Sequence, residues 1–219
     1  MRIRGSGTYT DANGKVHKII GIGELPDSEN LQELKVSGNL SFKKISCNKI
    51  NVSGKCNGSS IAADYLKTSG ELSVDDVSCN EVVISGKFTG DTVNAKNFSG
   101  SGKVEVGTLT IERVMNLSGK PQINSLSAYE IIIASSDGSI DKVTCRHIKI
   151  FDNDNFDISH SRVRIEKIDA DTVELENCAV DVIKCRDAVI GKNCAIEKLF
   201  ISGECKVADD SSVGETIRA

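Results

Sequence analysis

A chain with no tryptophan, three tyrosines and six phenylalanines in 219 residues cannot fill a thick globular core, because large aromatic side chains are what bridge the centre of such a core. Only 39% of its residues are hydrophobic, so any core must be thin and aliphatic. Long apolar runs are missing as well, which leaves no segment to span a bilayer as a helix. Neither sign of charge accumulates: 27 basic residues stand against 31 acidic ones, for a net charge of -4. That balance gives no electrostatic footprint for nucleic-acid phosphates and argues for solubility. The stretch Met1-Arg2-Ile3-Arg4-Gly5-Ser6-Gly7 has basic residues with no apolar segment behind them. No secretory signal is read there, and the expected location is cytoplasmic.

What is abundant is a repeat. Ser37-Gly38, Ser53-Gly54, Ser69-Gly70 and Ser85-Gly86 follow one another at intervals of sixteen residues. Between them, apolar or small residues fall in pairs: Leu40 and Phe42, Ile45 and Cys47, Ile50 and Val52 in the first unit. Side chains two apart on an extended chain point to the same side, so each pair marks a short strand and each odd step a corner. Three strands and three corners make one triangular coil. The template recurs as Cys56, Gly58, Ile61, Ala63, Leu66 and Thr68, then Leu72, Val74, Val77, Cys79, Val82 and Ile84, then Phe88, Gly90, Val93, Ala95, Phe98 and Gly100. It continues through Val104, Val106, Leu109, Ile111 and Val114, through Ile123 to Ile133, and through Ile140 to Ile150. After an interruption near 151–162 it resumes from Val163 to Leu175, Cys178 to Ile190, and Cys194 to Ile201. Ten coils are recognised.

The expected fold is therefore all-β: a single-stranded parallel β-helix, or β-solenoid, with a triangular core and about sixteen residues per coil. A β-sandwich also has short alternating strands, but it gives no reason for one six-position template to recur at a near-constant period. Residues 1–33 are off the template and are expected to be an N-terminal cap or flexible segment. The solenoid is assigned to 34–205 and a C-terminal cap or tail to 206–219. Glycine at the Ser-Gly corner is expected to supply a positive φ.

Eight cysteines would imply a disulfide framework in a short secreted chain, but the expected compartment and the repeat argue for reduced thiols. Cys47, Cys79, Cys145 and Cys185 share one template position with Ala63, Ala95, Ala128 and Ala170, which is what a site for a small apolar side chain looks like. No Cys-x-x-Cys occurs, and the spacings from Cys178 to Cys185, Cys194 and Cys205 match no zinc pattern. Alternation puts His147 on the outer surface, and neither His17 nor His160 is set beside a nucleophile. Asp152-Asn153-Asp154-Asn155-Phe156-Asp157 is close to a calcium loop, yet Phe156 stands where an oxygen ligand is required, and Asp157 and Val163 replace the turn glycine and closing glutamate. The stretch is read as a solvated loop. No catalytic, cofactor-binding or metal residue is assigned. Polysaccharide lyases of similar shape line a groove with aromatic and charged residues, and hexapeptide acyltransferases use coils of eighteen residues. Neither pattern is present, so no enzyme activity, cofactor or small-molecule substrate is expected.

Solenoid ends expose backbone groups and core unless charge, proline or a capping element covers them. Leu34 and Val36 at one end, and Val207 and Val213 at the other, are the candidate contacts of a polymer interface. No Gly-rich phosphate loop accompanies them, so assembly is expected to need no nucleotide. Taken with Gly5-Ser6-Gly7-Thr8-Tyr9, Lys18-Ile19-Ile20-Gly21, Ile165-Glu166-Lys167-Ile168-Asp169-Ala170 and Val189-Ile190-Gly191, the Ser-Gly coils resemble the bactofilin family, polymer-forming cytoskeletal proteins, in its Gram-positive type. The resemblance covers nearly the whole chain. It implies a right-handed β-helix, homopolymerisation head to head and tail to tail, and a scaffold role in cell shape, envelope organisation or motility. It also implies membrane-associated or envelope proteins as further partners and a place at the inner face of the membrane. The alternative is a non-polymerising solenoid whose flat face binds a partner protein.

Overall fold

The computed structural model describes residues 9–11, 16–25, 27–134, 137–151 and 162–218, with the backbone alone for 9–11, 16–19 and 28–30. These residues form strands and corners with no helix among them. In chain order the strands are β1 (Tyr9–Asp11), β2 (Val16–Ile19), β3 (Ile22–Leu25), β4 (Ser28–Val36), β5 (Asn39–Phe42), β6 (Lys44–Val52), β7 (Lys55–Thr68), β8 (Glu71–Ile84), β9 (Lys87–Gly100), β10 (Lys103–Leu117), β11 (Lys120–Ala134), β12 (Gly138–Phe151), β13 (Val163–Leu175), β14 (Cys178–Ile190), β15 (Ala195–Ile201), β16 (Cys205–Val207) and β17 (Ser212–Arg218). The fold is a parallel β-solenoid. It divides into two compact units, Met1–Gly107 and Thr108–Ala219.

From β5 to β9 in the first unit each coil pairs in parallel with the coil sixteen residues on. Leu72 of β8 lies between Cys56 of β7 and Phe88 of β9, and Val77 lies between Ile61 and Val93. β8 buries Leu72, Val74, Val77, Cys79, Val82 and Ile84, leaves 75–76 and 80–81 exposed, and so bends twice within one continuous strand. These are the three short faces read from the sequence. Each fully buried Val, Leu or Ile contributes about 1.5–3 kcal/mol relative to its exposed state, and the narrow interior is filled by little else. Size is matched between coils: a Cβ on Gly58 would lie 2.1 Å from the Phe42 ring, so the glycine makes room for the largest side chain of the preceding coil.

The Ser-Gly corners are glycine for a reason other than the expected one. Among the described glycines only Gly21, at φ 108°, has positive φ. At Gly38, Gly54, Gly70, Gly86 and Gly102 a Cβ would instead stand 1.8–2.0 Å from the carbonyl oxygen of the glycine one coil earlier. The corners stack so closely that the ladder is unbroken through them: Lys55 N donates to Gly38 O at 2.9 Å, Glu71 N to Gly54 O at 2.9 Å and Lys87 N to Gly70 O at 2.9 Å. Close approach, not left-handed backbone, fixes the residue type.

The coils also begin earlier than residue 34. β2 pairs with β4, β3 with β5 and β4 with β6, all parallel, and Gly21 heads the glycine column. The offset there is seventeen (His17↔Leu34, Ile22↔Asn39), with a register shift between Ser28 and Leu31. That extra residue hides the template. β1 then pairs antiparallel with β2, so the stack of parallel strands stops there.

In the second unit the offsets vary: seventeen from β11 to β12, twenty-five from β12 to β13, fifteen from β13 to β14 and sixteen from β14 to β15. The offset of twenty-five accommodates the interruption, whose residues 152–161, including the calcium-like stretch and His160, lie outside the described residues. The positions read as inward from Val163 to Leu175 are all buried. Val114 is a correction. It is half-buried, and Met115 and Leu117 are the buried pair, because the corner after Ile111 holds three residues instead of two.

Thr68 sits fully buried among Val36, Val52 and Ile84 in one column, and its hydroxyl has no hydrogen-bond partner among the described residues. An unsatisfied buried hydroxyl costs about 1–3 kcal/mol, so Thr68→Val is expected to raise stability by about 1 kcal/mol. Gly70→Ala, which drives a methyl into Gly54 O, is expected to lower it by about 1–3 kcal/mol, while Ser69→Ala changes little. Urea unfolding of the three variants checks both signs.

Candidate functional site: the coil edges and the buried thiols

Leu34 and Val36, expected as end contacts, are each 1% exposed. β2 covers β4 on one side and β6 on the other, so these two belong to the interior of the first unit. At that end of the unit Ile20 and Ile22 are exposed, while Leu25, opposite Phe42, remains buried.

The edge of the second unit has a different character. β17 pairs with β15, and β16 pairs with β14, and no residue-by-residue pairing places a further strand on either of them among the described residues. Val207 continues the column of Ile190, and Val213 continues that of Ile196. Both therefore occupy core positions of the template with no coil beyond them. Val207 is 44% exposed and Val213 half-buried. Over Leu199 and Ile201, which are buried, the last coil places Thr216 and Arg218. The edge is thus part apolar and part polar. The polar half went unread because the offset there is seventeen. Counting seventeen from Leu199 and Ile201 would have found Thr216 and Arg218.

The outer faces are paved with ion-pair ladders that the in-register stacking creates. Glu71 lies 3.0 Å from Lys55 and 4.0 Å from Lys87, and Lys149 lies 2.9 Å from Glu174. Exposed pairs of this kind contribute about 0–1 kcal/mol each; in the column Lys55, Glu71, Lys87 the alternation keeps like charges from stacking. His147 is exposed, as its alternation implied. Its Nδ1 meets Thr172 Oγ1, and its ring stands edge-on to Tyr129 at 6.1 Å between centroids. A depression of about 250 Å³ includes Thr172, Glu174, Asp187, Val189 and Lys206, and another of about 490 Å³ includes Arg164, Ala179, Asp181, Ala195 and Glu197. Among the described residues no three His, Cys, Asp or Glu side chains converge as a metal site would require, and no helix is long and apolar enough to cross a membrane.

The cysteines pack as small apolar residues in part. Cys47, Cys56, Cys79, Cys178 and Cys194 are buried, whereas Cys145, Cys185 and Cys205 are half-buried. Burial pushes the thiol of Cys56 up to about 12, that of Cys145 to about 12 and that of Cys79 to about 11, because an apolar interior opposes the thiolate.

No family model matches the chain, and neither a curated protein nor a solved structure matches it.

A thiol held neutral in the fold ionises first in the unfolded chain, so the folded state then binds more protons and loses stability as pH rises. The contribution is complete below about pH 9, the ordinary thiol value, and is lost progressively from there toward about 11 for Cys79. Urea midpoints measured from pH 7 to pH 10 are expected to fall. Cys79→Ala, which places in that column the residue its neighbours Ala63 and Ala95 already use, is expected to reduce the slope.

Proposed function

We propose that this chain is a non-enzymatic structural scaffold that assembles with itself through unpaired coil edges, without nucleotide, in the manner that its resemblance to bactofilins implies. The observation that carries the reading is the edge of the second unit, where strands β16 and β17 have pairing on one side only among the described residues and Val207 and Val213 continue core columns. A strand edge of this kind is a template for another chain, since each open amide and carbonyl gains a partner and each half-covered valine loses water. A second copy is the simplest occupant because its edge has the same spacing. Cell shape, envelope organisation or motility is the proposed setting, in the cytoplasm or at the inner face of the membrane, with envelope proteins as further partners.

Thr216 and Arg218 favour the second reading, a solenoid that does not polymerise and presents a flat face to a partner protein. They place polar groups over the core where self-pairing would bury them.

Negative-stain electron microscopy and sedimentation velocity of the purified protein, without nucleotide and across protein concentration, separate the two. Filaments, sheets or concentration-dependent species are expected. Val207→Glu with Val213→Glu is expected to return the protein to its smallest species while leaving the thermal transition near that of the parent. Uniform single copies at high concentration would remove the scaffold reading and leave the binding platform.

A further inference from the structure

Most of the eight cysteines are placed so that they do not meet. In the first unit Cys47 stacks on Ala63, Ala63 on Cys79 and Cys79 on Ala95, so an alanine holds successive thiols two strand spacings apart, roughly 9.6 Å. In the second unit Ala170 separates Cys145 from Cys185 in the same way. Cys56 stacks on Leu72, and Cys205 lies opposite Ala188. Cys178 and Cys194 break the pattern. The register Ala179↔Ala195 sets them opposite each other in adjacent coils, and their sulfurs are 3.7 Å apart. They are 0% and 3% exposed.

We propose that Cys178 and Cys194 are a site of reversible oxidation, closing an intramolecular disulfide inside the second unit with a hydroperoxide as oxidant and a low-molecular-weight thiol as reductant. Strands about 4.8 Å apart bring the two α-carbons within the roughly 4.4–6.8 Å that a disulfide spans, and rotation about Cα–Cβ closes the sulfurs toward about 2.05 Å. The turns preceding both cysteines are fixed alike. Asn177 and Asn193 both have left-handed backbone, at φ 50° and 57°, and Asn193 Nδ2 donates to Asn177 Oδ1 at 2.6 Å.

The two thiols divide the chemistry. The hydrogen bond from Cys178 lowers the Cys194 thiol from its ordinary value, while Cys178 itself is raised. Cys194 is also nearer the open edge. Its amide donates to Ser211 Oγ at 2.8 Å, and Ser211 precedes β17, the last coil among the described residues, which pairs back onto β15. Local opening of an end coil is the least costly opening in a stacked structure, and it admits the oxidant. The Cys194 thiolate attacks one peroxide oxygen, the O–O bond breaks, and the leaving hydroxide takes a proton to become water (an alkyl hydroperoxide leaves as its alcohol). The resulting sulfenic acid is attacked by Cys178. Its S–H proton leaves with the hydroxyl as water as the S–S bond forms. Two thiols lose two electrons and the hydroperoxide gains them; two equivalents of external thiol reverse the step. The bond fastens the coil of β14 to that of β15, one coil inside the edge.

The test treats the purified full-length chain with hydrogen peroxide, then alkylates it under denaturing conditions and maps the peptides. Alkylatable thiols are expected to fall from eight to six, by subtraction of one pair, with a single 178–194 cross-linked peptide that dithiothreitol removes. Cys205→Ala is expected to behave as the parent does, and Cys178→Ala to accumulate sulfenic or sulfinic acid at Cys194 with no cross-link. Retention of all eight thiols, or cross-links mapping to Cys185, Cys205 or between chains, would overturn the proposal. The unsubstituted chain alone gives this answer, so a variant that folds poorly does not obscure it.

Discussion

Within each unit successive coils are held together by main-chain hydrogen bonds, and in the first unit those bonds continue through the corners as well as along the faces. Ser53, Ser69, Ser85 and Ser101 donate to Val36, Val52, Thr68 and Ile84, each at 2.8 Å. The glycine after each serine allows the next corner to lie directly on the last. A side chain at that position would separate the backbones and break the ladder where it is tightest. The column of glycines and the stacking of core positions on core positions in the first unit both follow from this one requirement of in-register contact.

Contact in register also explains where chemistry and association can arise. A residue in such a fold has its counterparts one period away as neighbours, so side chains assemble into columns and not into clefts. Columns of Lys and Glu give ladders, columns of Ile and Val give core, and a column broken by alanine keeps thiols apart. Only when two reactive residues fall one period apart do they touch, as Cys178 and Cys194 do. At the last coil the columns end among the described residues, and Val207 and Val213 occupy core positions with no further strand paired onto them.

The sequence was legible wherever the period held. From Leu40 to Ile84 the inward pairs could be read one by one, because Ser-Gly dipeptides keep count. Legibility failed where one residue is added. At 16–36 the offset becomes seventeen and a register shift intervenes, so the first coils look like an off-template segment, and Leu34 and Val36 look like an end when β2 covers them. At Val114 an additional corner residue moves the buried pair to Met115 and Leu117. The role of the corner glycines was misread for a different reason. Positive φ and close approach both select glycine, and only coordinates distinguish them. The Cys178–Cys194 contact was available from the spacing of sixteen, which is one coil, but Cys185 falls between the two, so the successive intervals of seven and nine hide it.

Hydrogen–deuterium exchange resolved to single amides tests the account most directly. The corner amides of Lys55, Glu71 and Lys87 should exchange as slowly as those within the faces, because each is bonded to a glycine carbonyl one coil away, and the amides of β17 should gain protection as protein concentration rises. Fast exchange at all three corners, as in ordinary solvated turns, would contradict the continuous ladder, and β17 exchange independent of concentration would contradict assembly through that edge.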